Sequence, residues 1–140
     1  MSGKVTTAHV TETGTSPFAV AITVSGFDLA GDEPEAAGGA NLGPSPYDLL
    51  TAALAECTAM TVRWYARREG WPLDHVEVTL THEKGGEGAA SPRQDVFTKC
   101  IRLAGPALTD AQRLKLIDIA ARCPVQRTLE GTPLIVTRCA

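Results

Sequence analysis

Apolar residues dominate the middle of the chain between positions 49 and 62, where no face of a helix would be fully polar. Ser45 and Pro46 precede this stretch and mark a helix start, because serine caps free backbone amides and proline suits the first helical position. The helix is predicted to run to about Arg68 and to end before Gly70. Since a helix that is apolar on all sides must be enclosed by other elements, we expect it at the centre of the fold.

Strands are predicted on both sides of this helix in the sequence. Residues 5–11, 18–24 and 27–29 are short β-type segments, and the second has apolar residues at alternating positions. Residues 75–83 and 95–103 predict two longer strands joined by a polar hairpin loop. The pattern indicates an α+β fold with antiparallel sheets around one long central helix.

A shorter helix pattern follows the last of these strands. Thr109 and Gln112 have the spacing of a capping box, in which each side chain satisfies a free amide at the helix start. One buried stripe recurs at helical spacing: Leu116, Ala120 and Cys123. Pro124 then begins a new helical turn, and residues 134–138 are predicted to close the chain as a strand.

Length and composition limit the possible classes of protein. With 140 residues and 44% hydrophobic content, the chain suits a single domain over residues 1–140. A net charge of −3, without basic runs among aromatics, argues against a nucleic-acid partner. The apolar stretch is shorter than the ~20 residues that cross a bilayer and contains Glu56, so we expect no membrane partner. No secretory leader pattern opens the sequence, and we expect a cytoplasmic protein.

The apolar central helix also predicts an oligomer. Three short β segments at the N-terminal side can hardly enclose it within one chain. An exposed apolar patch of that size is more than a monomer tolerates, whereas a second subunit would bury it. We therefore expect an obligate homodimer.

Four cysteines are the candidate reactive groups: Cys57, Cys100, Cys123 and Cys139. No two have the close spacing of a local zinc site, and a structural disulfide framework is unusual for a cytoplasmic chain of this size. Cys57 lies within the central helix, and Cys123 precedes Pro124 at the start of a helical turn. Folding could bring these two thiols together as a redox pair, or both could be packing residues, and the pattern alone leaves both readings open.

Three segments carry a resemblance to a known family. They are Gly-Pro-Ser-Pro-Tyr-Asp-Leu-Leu at 43–50, Ala-Ala-Leu-Ala-Glu-Cys-Thr-Ala-Met-Thr at 52–61 and Arg-Cys-Pro-Val at 122–125. Together they resemble the OsmC/Ohr family of osmotically inducible and organic hydroperoxide resistance proteins. The similarity extends over nearly the whole chain, and the order of the two cysteine motifs is fairly specific.

The resemblance implies an OsmC-like, intertwined homodimer with its sites at the subunit interface. It implies thiol-dependent reduction of organic hydroperoxides, in which Cys57 attacks the peroxide and Cys123 resolves the product as a disulfide. No bound cofactor is implied. An external dithiol, of the lipoyl type in the family, would return the disulfide to two thiols.

The chain departs from the family where the attacking thiol is normally activated. A glutamate usually follows the helix-opening proline and pairs with an arginine from the N-terminal region. Here Tyr47 takes the glutamate's place, and no arginine occurs before Arg63. The resemblance therefore indicates a divergent branch that lacks the usual arginine–glutamate pair.

Other residues are candidates for that activating role. Burial and the adjacent Glu56 would disfavour a thiolate at Cys57, so a cation is expected nearby. Arg127 lies four residues after Cys123 on one helical face, and Arg63 shares a stripe with Glu56 but lies two turns away. Glu56 either orients one of these arginines or points into a solvated interface groove.

Two alternatives remain open from the sequence. Free amides at the turn after Cys123 would make it the more acidic thiol, whereas the resemblance makes Cys57 the attacking one, and we follow the resemblance. The alternative function is a non-catalytic dimer of the same fold that binds a small apolar ligand and uses its cysteines only for packing.

Overall fold

The structure is a computed structural model that describes residues 4–140. It is an α+β fold with antiparallel sheets and three α-helices, as the sequence predicts. The strands are β1 (Ala8–Glu12), β2 (Val20–Val24), β3 (Phe27–Gly31), β4 (His75–Lys84) and β5 (Asp95–Ala104). The helices are α1 (Pro46–Glu69), α2 (Asp110–Ala120) and α3 (Pro124–Glu130), and a short 3-10 turn covers Glu35–Ala37.

The described chain divides into two compact units, one up to Leu50 and one from Thr51 onward. In the first unit, β1, β2 and β3 form an antiparallel sheet in that order. In the second unit, β4 and β5 form a two-stranded antiparallel ribbon whose register runs from His75 opposite Ala104 to Lys84 opposite Asp95. All five strands lie where the sequence predicts them, with bounds that shift by up to three residues.

The ends of α1 are set by local hydrogen bonds. The Asp48 amide donates to Ser45 Oγ over 3.3 Å, and the Ser45 amide donates to the Asp48 carboxylate over 2.9 Å. At the other end Gly70 has a φ of +68°, and the Trp71 amide donates to the Ala66 carbonyl over 2.9 Å. Glycine adopts this left-handed conformation without steric cost, so the helix ends there. The predicted start and end of the central helix are confirmed.

The capping box of α2 is present as predicted. Gln112 N donates to Thr109 Oγ1 over 3.1 Å, and Thr109 N donates to Gln112 Oε1 over 3.0 Å. The stripe of Leu116, Ala120 and Cys123 is completely buried. Because this stripe faces the core, Cys123, three residues after the end of α2, lies in the interior of the second unit.

One face of α1 forms the other side of this interior. Its buried residues recur every four positions: Leu54, Thr58, Val62 and Ala66. The core of the second unit joins part of this stripe to α2 and to the segments around them: Val62, Ala66, Leu73, Leu108, Leu116 and Ala120. Met60 and Trp64 lie on a different face of α1 and remain largely exposed. The chain itself therefore covers only part of the apolar surface of this helix.

The predicted strand at residues 134–138 is wrong. This segment has no regular secondary structure, and Leu134 and Ile135 are 88% and 83% exposed. The alternation of apolar residues favours an extended backbone, but a strand also needs a hydrogen-bonding neighbour. Among residues 4–140, no strand pairs with this segment.

Candidate active site

The fold brings Cys57 and Cys123 together inside the second unit. Cys57 lies on α1, and its sulfur accepts a hydrogen bond from the Val125 amide at 3.4 Å. Cys123 immediately precedes α3, and the two thiols are close enough for each to change the pKa of the other. Both are free thiols. Cys57 is half-buried and Cys123 has no exposed surface, so a molecule arriving from solvent meets Cys57 first.

The position of Cys123 follows from its role as the N-cap of α3. Its backbone is extended, with φ −64° and ψ 150°, and Pro124 occupies the first helical turn. The Gln126 amide donates to Cys123 Sγ over 3.4 Å, so the thiol occupies the place that a serine oxygen usually fills at a helix start.

Thr58 lies one residue after Cys57 and faces the other sulfur. Its hydroxyl is 3.6 Å from Cys123 Sγ and 2.7 Å from the Leu54 carbonyl oxygen. A hydroxyl has one proton to donate, so Thr58 can donate to the carbonyl or to the sulfur but not to both. The shorter distance favours the carbonyl, and we therefore assign Thr58 a smaller effect on Cys123 than the Gln126 amide has.

Lys99 on β5 is a residue of this site that the sequence analysis missed. Its ammonium lies 3.9 Å from Cys123 Sγ, and it donates to the Ala120 carbonyl at 2.8 Å and to Gln126 Oε1 at 2.6 Å. The sequence does contain a signal. Every second residue of β5 from Phe97 onward is partly buried, and all of these residues except Lys99 are apolar. A lysine therefore occupies a position that is typical of an apolar side chain.

The surroundings of the two thiols shift their pKa values in opposite directions. Burial raises the pKa of the Cys57 thiol above its ordinary value, and the neighbouring Cys123 raises that pKa further. The hydrogen bond from the Val125 amide lowers the pKa, but it offsets only part of this increase. Burial would also raise the pKa of Cys123, but this is outweighed. The backbone amide of Gln126 contributes most, followed by the Thr58 hydroxyl, the Cys57 thiol and the charge of Lys99, and together they hold the pKa of Cys123 below its ordinary value.

These opposite shifts predict which thiol ionises first. As the pH rises, the first thiolate absorbance near 240 nm is expected to come from Cys123. A Cys57→Ser variant should keep this low-pH transition and a Cys123→Ser variant should lose it, with Cys100 and Cys139 replaced by serine in both proteins. If the low-pH transition followed Cys57 instead, the assignment of the acidic thiol would be wrong.

The predicted activating residues lie in different surroundings from one another. Arg63 donates to the Leu73 carbonyl at 2.6 Å and to the Asp74 carbonyl at 3.3 Å, so its guanidinium joins α1 to the segment that precedes β4. Glu56 and Arg127 are exposed. Within residues 4–140, neither of these two side chains forms a hydrogen bond or ion pair. Their roles at Cys57 stay predictions.

The remaining candidate groups are far less enclosed. Cys100 and Cys139 are both exposed. Across the described residues, no group of histidine, cysteine, aspartate and glutamate side chains could hold a metal ion. Nor is any described helix both long and apolar enough to cross a membrane. The second unit thus offers one enclosed site with two thiols and a nearby cation.

The chain is similar to known proteins in both family and fold. A family model described as OsmC-like protein matches residues 38–138. Among solved structures, the fold is similar to that of an OsmC-like protein from Mycoplasma pneumoniae, with a TM-score of 0.70 and 19% identity over 94% of this chain and 90% of that one. No curated protein matches the chain by sequence.

Two further similar structures carry more specific descriptions. One is an organic hydroperoxide resistance protein OsmC from Legionella pneumophila, with a TM-score of 0.64 and 20% identity over 94% of this chain and 93% of that one. The other is the organic hydroperoxide resistance protein OhrB of Bacillus subtilis, with a TM-score of 0.56 and 23% identity over 89% of this chain and 91% of that one. At these identities the likeness establishes a shared fold.

Proposed function

The chain belongs to the OsmC-like protein family, and from this membership and the paired thiols we propose that it reduces organic hydroperoxides with Cys57 and Cys123. The observation that carries the proposal is the meeting of two distant cysteines in one enclosed site, where their pKa values are shifted in opposite directions. Perturbed titratable groups of this kind cluster at functional sites.

In the first half of the reaction, Cys57 attacks the hydroperoxide. The thiolate sulfur bonds to the terminal oxygen, the O–O bond breaks, and the alkoxide takes a proton and leaves as an alcohol. Cys57 becomes a sulfenic acid and the peroxide is reduced. The Val125 amide, 3.4 Å from the sulfur, stabilises the thiolate form that this step requires.

In the second half, Cys123 resolves the oxidised thiol. Its thiolate attacks the Cys57 sulfur, a disulfide forms, and hydroxide leaves and is protonated to water. An external dithiol then exchanges with the disulfide and restores both thiols. The family resemblance favours a reductant of the lipoyl type, and the cycle uses no bound cofactor.

The working unit in this proposal is a homodimer. The family resemblance supports it, and so does α1, on which Met60 and Trp64 remain largely exposed. Burying such side chains against a second subunit would remove apolar area from water at roughly 25 cal/mol per Å².

The test is peroxide consumption in the presence of a dithiol. Wild-type protein should consume cumene hydroperoxide faster than hydrogen peroxide, and Cys57→Ser should reduce consumption to the rate without protein. The matched control replaces the exposed Cys100 and Cys139 by serine and should retain the wild-type rate. If the wild type consumes neither peroxide above the protein-free rate, the proposed function is lost.

A second candidate function is binding of a small apolar ligand without catalysis. The observation in its favour is a groove of about 660 Å³ beside α1, in which Met60, Trp64 and Val76 provide apolar lining. Arg63, Arg67 and Arg68 also line it, so a ligand with an acidic end would fit best. Ligand binding that survives in Cys57→Ser, in a protein without peroxidase activity, would favour this second function.

A further inference from the structure

We propose that the Lys99 ammonium is the counter-ion that stabilises the thiolate form of Cys123 for its attack on the oxidised Cys57. The catalytic part of this inference rests on the proposed function, because it concerns the disulfide-forming step. The pairing of Lys99 with Cys123 does not depend on peroxide chemistry. The two parts can therefore be tested separately.

The first argument is the hydrogen bonding of the ammonium. A lysine ammonium has three donors and no acceptor. Two donors of Lys99 bind neutral oxygens, those of the Ala120 carbonyl and the Gln126 side-chain amide. These contacts fix the position of the charge but do not neutralise it. The third neighbour is Cys123 Sγ at 3.9 Å, a group that can become an anion.

The second argument is the absence of a competing anion. Among residues 4–140, no carboxylate forms an ion pair with Lys99. Glu130 contacts the site only through Gln126, whose side-chain nitrogen donates to Glu130 Oε2 at 3.2 Å. That bond turns Gln126 Oε1 toward the ammonium. Since a partly buried charge without a counter-ion is costly, ionisation of Cys123 stabilises the site.

The third argument is the placement of the groups around Cys123. The titratable groups that face it are Lys99 from β5 and Cys57 from α1. The other two groups that contact it, the Thr58 hydroxyl from α1 and the backbone amide of Gln126 from α3, are neutral. Lys99 is therefore the positive charge that acts on this sulfur, and Cys57 is the adjacent reaction partner.

This pairing assigns Lys99 to one step of the cycle. The Cys123 thiolate supplies the electron pair of the new S–S bond, the S–O bond of the Cys57 sulfenic acid breaks, and the departing hydroxide takes a proton from the medium. Cys123 is oxidised and the sulfenic sulfur is reduced. Because the adjacent ammonium favours the ionised form of the attacking sulfur, the step depends less on a separate base. The initial attack of Cys57 on the peroxide does not involve Lys99.

The first experiment measures ionisation without peroxide. In the Cys57→Ser background, Lys99→Gln keeps a donor for the Ala120 carbonyl but removes the charge, and it should move the Cys123 thiolate transition near 240 nm to higher pH. Lys99→Arg keeps the charge and should leave the transition close to its original position. Arg102→Met is the control, since Arg102 lies on the same strand with an exposed side chain paired to Glu77. An unchanged transition in Lys99→Gln would overturn the proposal.

The second experiment measures disulfide closure after a stoichiometric pulse of cumene hydroperoxide. Lys99→Gln should slow closure by about tenfold or more, the loss typical of a missing charge-assisted hydrogen bond. The Cys57 sulfenic acid should then accumulate and be trapped by a cyclic diketone, whereas its rate of formation should not change. Slower sulfenic acid formation with unchanged closure would refute the assigned step. If no sulfenic acid forms even in wild-type protein, the proposed function fails while the ionisation result still stands.

Discussion

A Cys123→Ser variant treated with excess organic hydroperoxide is expected to pass beyond the sulfenic acid, whereas the wild type stops at the disulfide. In the proposed cycle, Cys123 captures the sulfenic acid on Cys57 as a disulfide. Without that thiol, a second peroxide can oxidise the same sulfur to the sulfinic acid, which ordinary dithiols do not reduce. Dithiol-dependent turnover should therefore end once a chain has consumed about two equivalents of peroxide, one to form the sulfenic acid and one to form the sulfinic acid.

Intact mass measures this outcome directly. The wild type should lose two hydrogens, whereas Cys123→Ser should gain two oxygens, and added dithiol should restore only the wild type. A protein with both Cys100 and Cys139 replaced by serine serves as the control and should form the disulfide normally. A disulfide that forms at the same rate in Cys123→Ser would mean that another cysteine resolves Cys57.

Leu116→Ala is expected to cause the largest loss of stability. Leu116 is fully buried in the core that joins α1 to α2. Removing a buried leucine side chain costs about 2–5 kcal/mol, through lost burial and the cavity that remains. That is a large share of the ~5–15 kcal/mol by which most domains are stable.

Leu114 provides a matched control on the same helix, because it is 72% exposed. Leu114→Ala should change the free energy of unfolding by less than about 0.5 kcal/mol, as is usual for surface positions. Urea unfolding of both variants at one protein concentration measures the difference, since association would otherwise shift the midpoints. Equal midpoints for the two variants would contradict the assignment of Leu116 to the core.

The elements set by local interactions could be predicted from the sequence. Ser45 and Gly70 mark the ends of α1 through hydrogen bonds within a few residues of each helix end. The capping box of Thr109 and Gln112 forms in the same way. Such signals depend on neighbouring residues alone, so they hold whatever the rest of the fold does.

Features that depend on distant partners were predicted less well. Residues 134–138 have a strand-like pattern, but their strand would need a neighbour that the pattern does not specify. Lys99 is separated from Cys123 by 24 positions, and the packing of β5 against the core that contains α2 brings the two together. For Cys57 and Cys123 the helical positions alone leave both a redox pair and two packing residues open, and only the family resemblance favours their meeting.

The separation of the two thiols along the chain would link the proposed redox cycle to folding. A disulfide between Cys57 and Cys123 would close a covalent loop of roughly 65 residues that contains β4, β5 and α2. By the chain-entropy model, a cross-link of that length restricts the unfolded chain by about 4 kcal/mol. The oxidised protein would then resist unfolding more than the reduced one. Each formation of the disulfide would raise the free energy of unfolding of the second unit, and each reduction would lower it again.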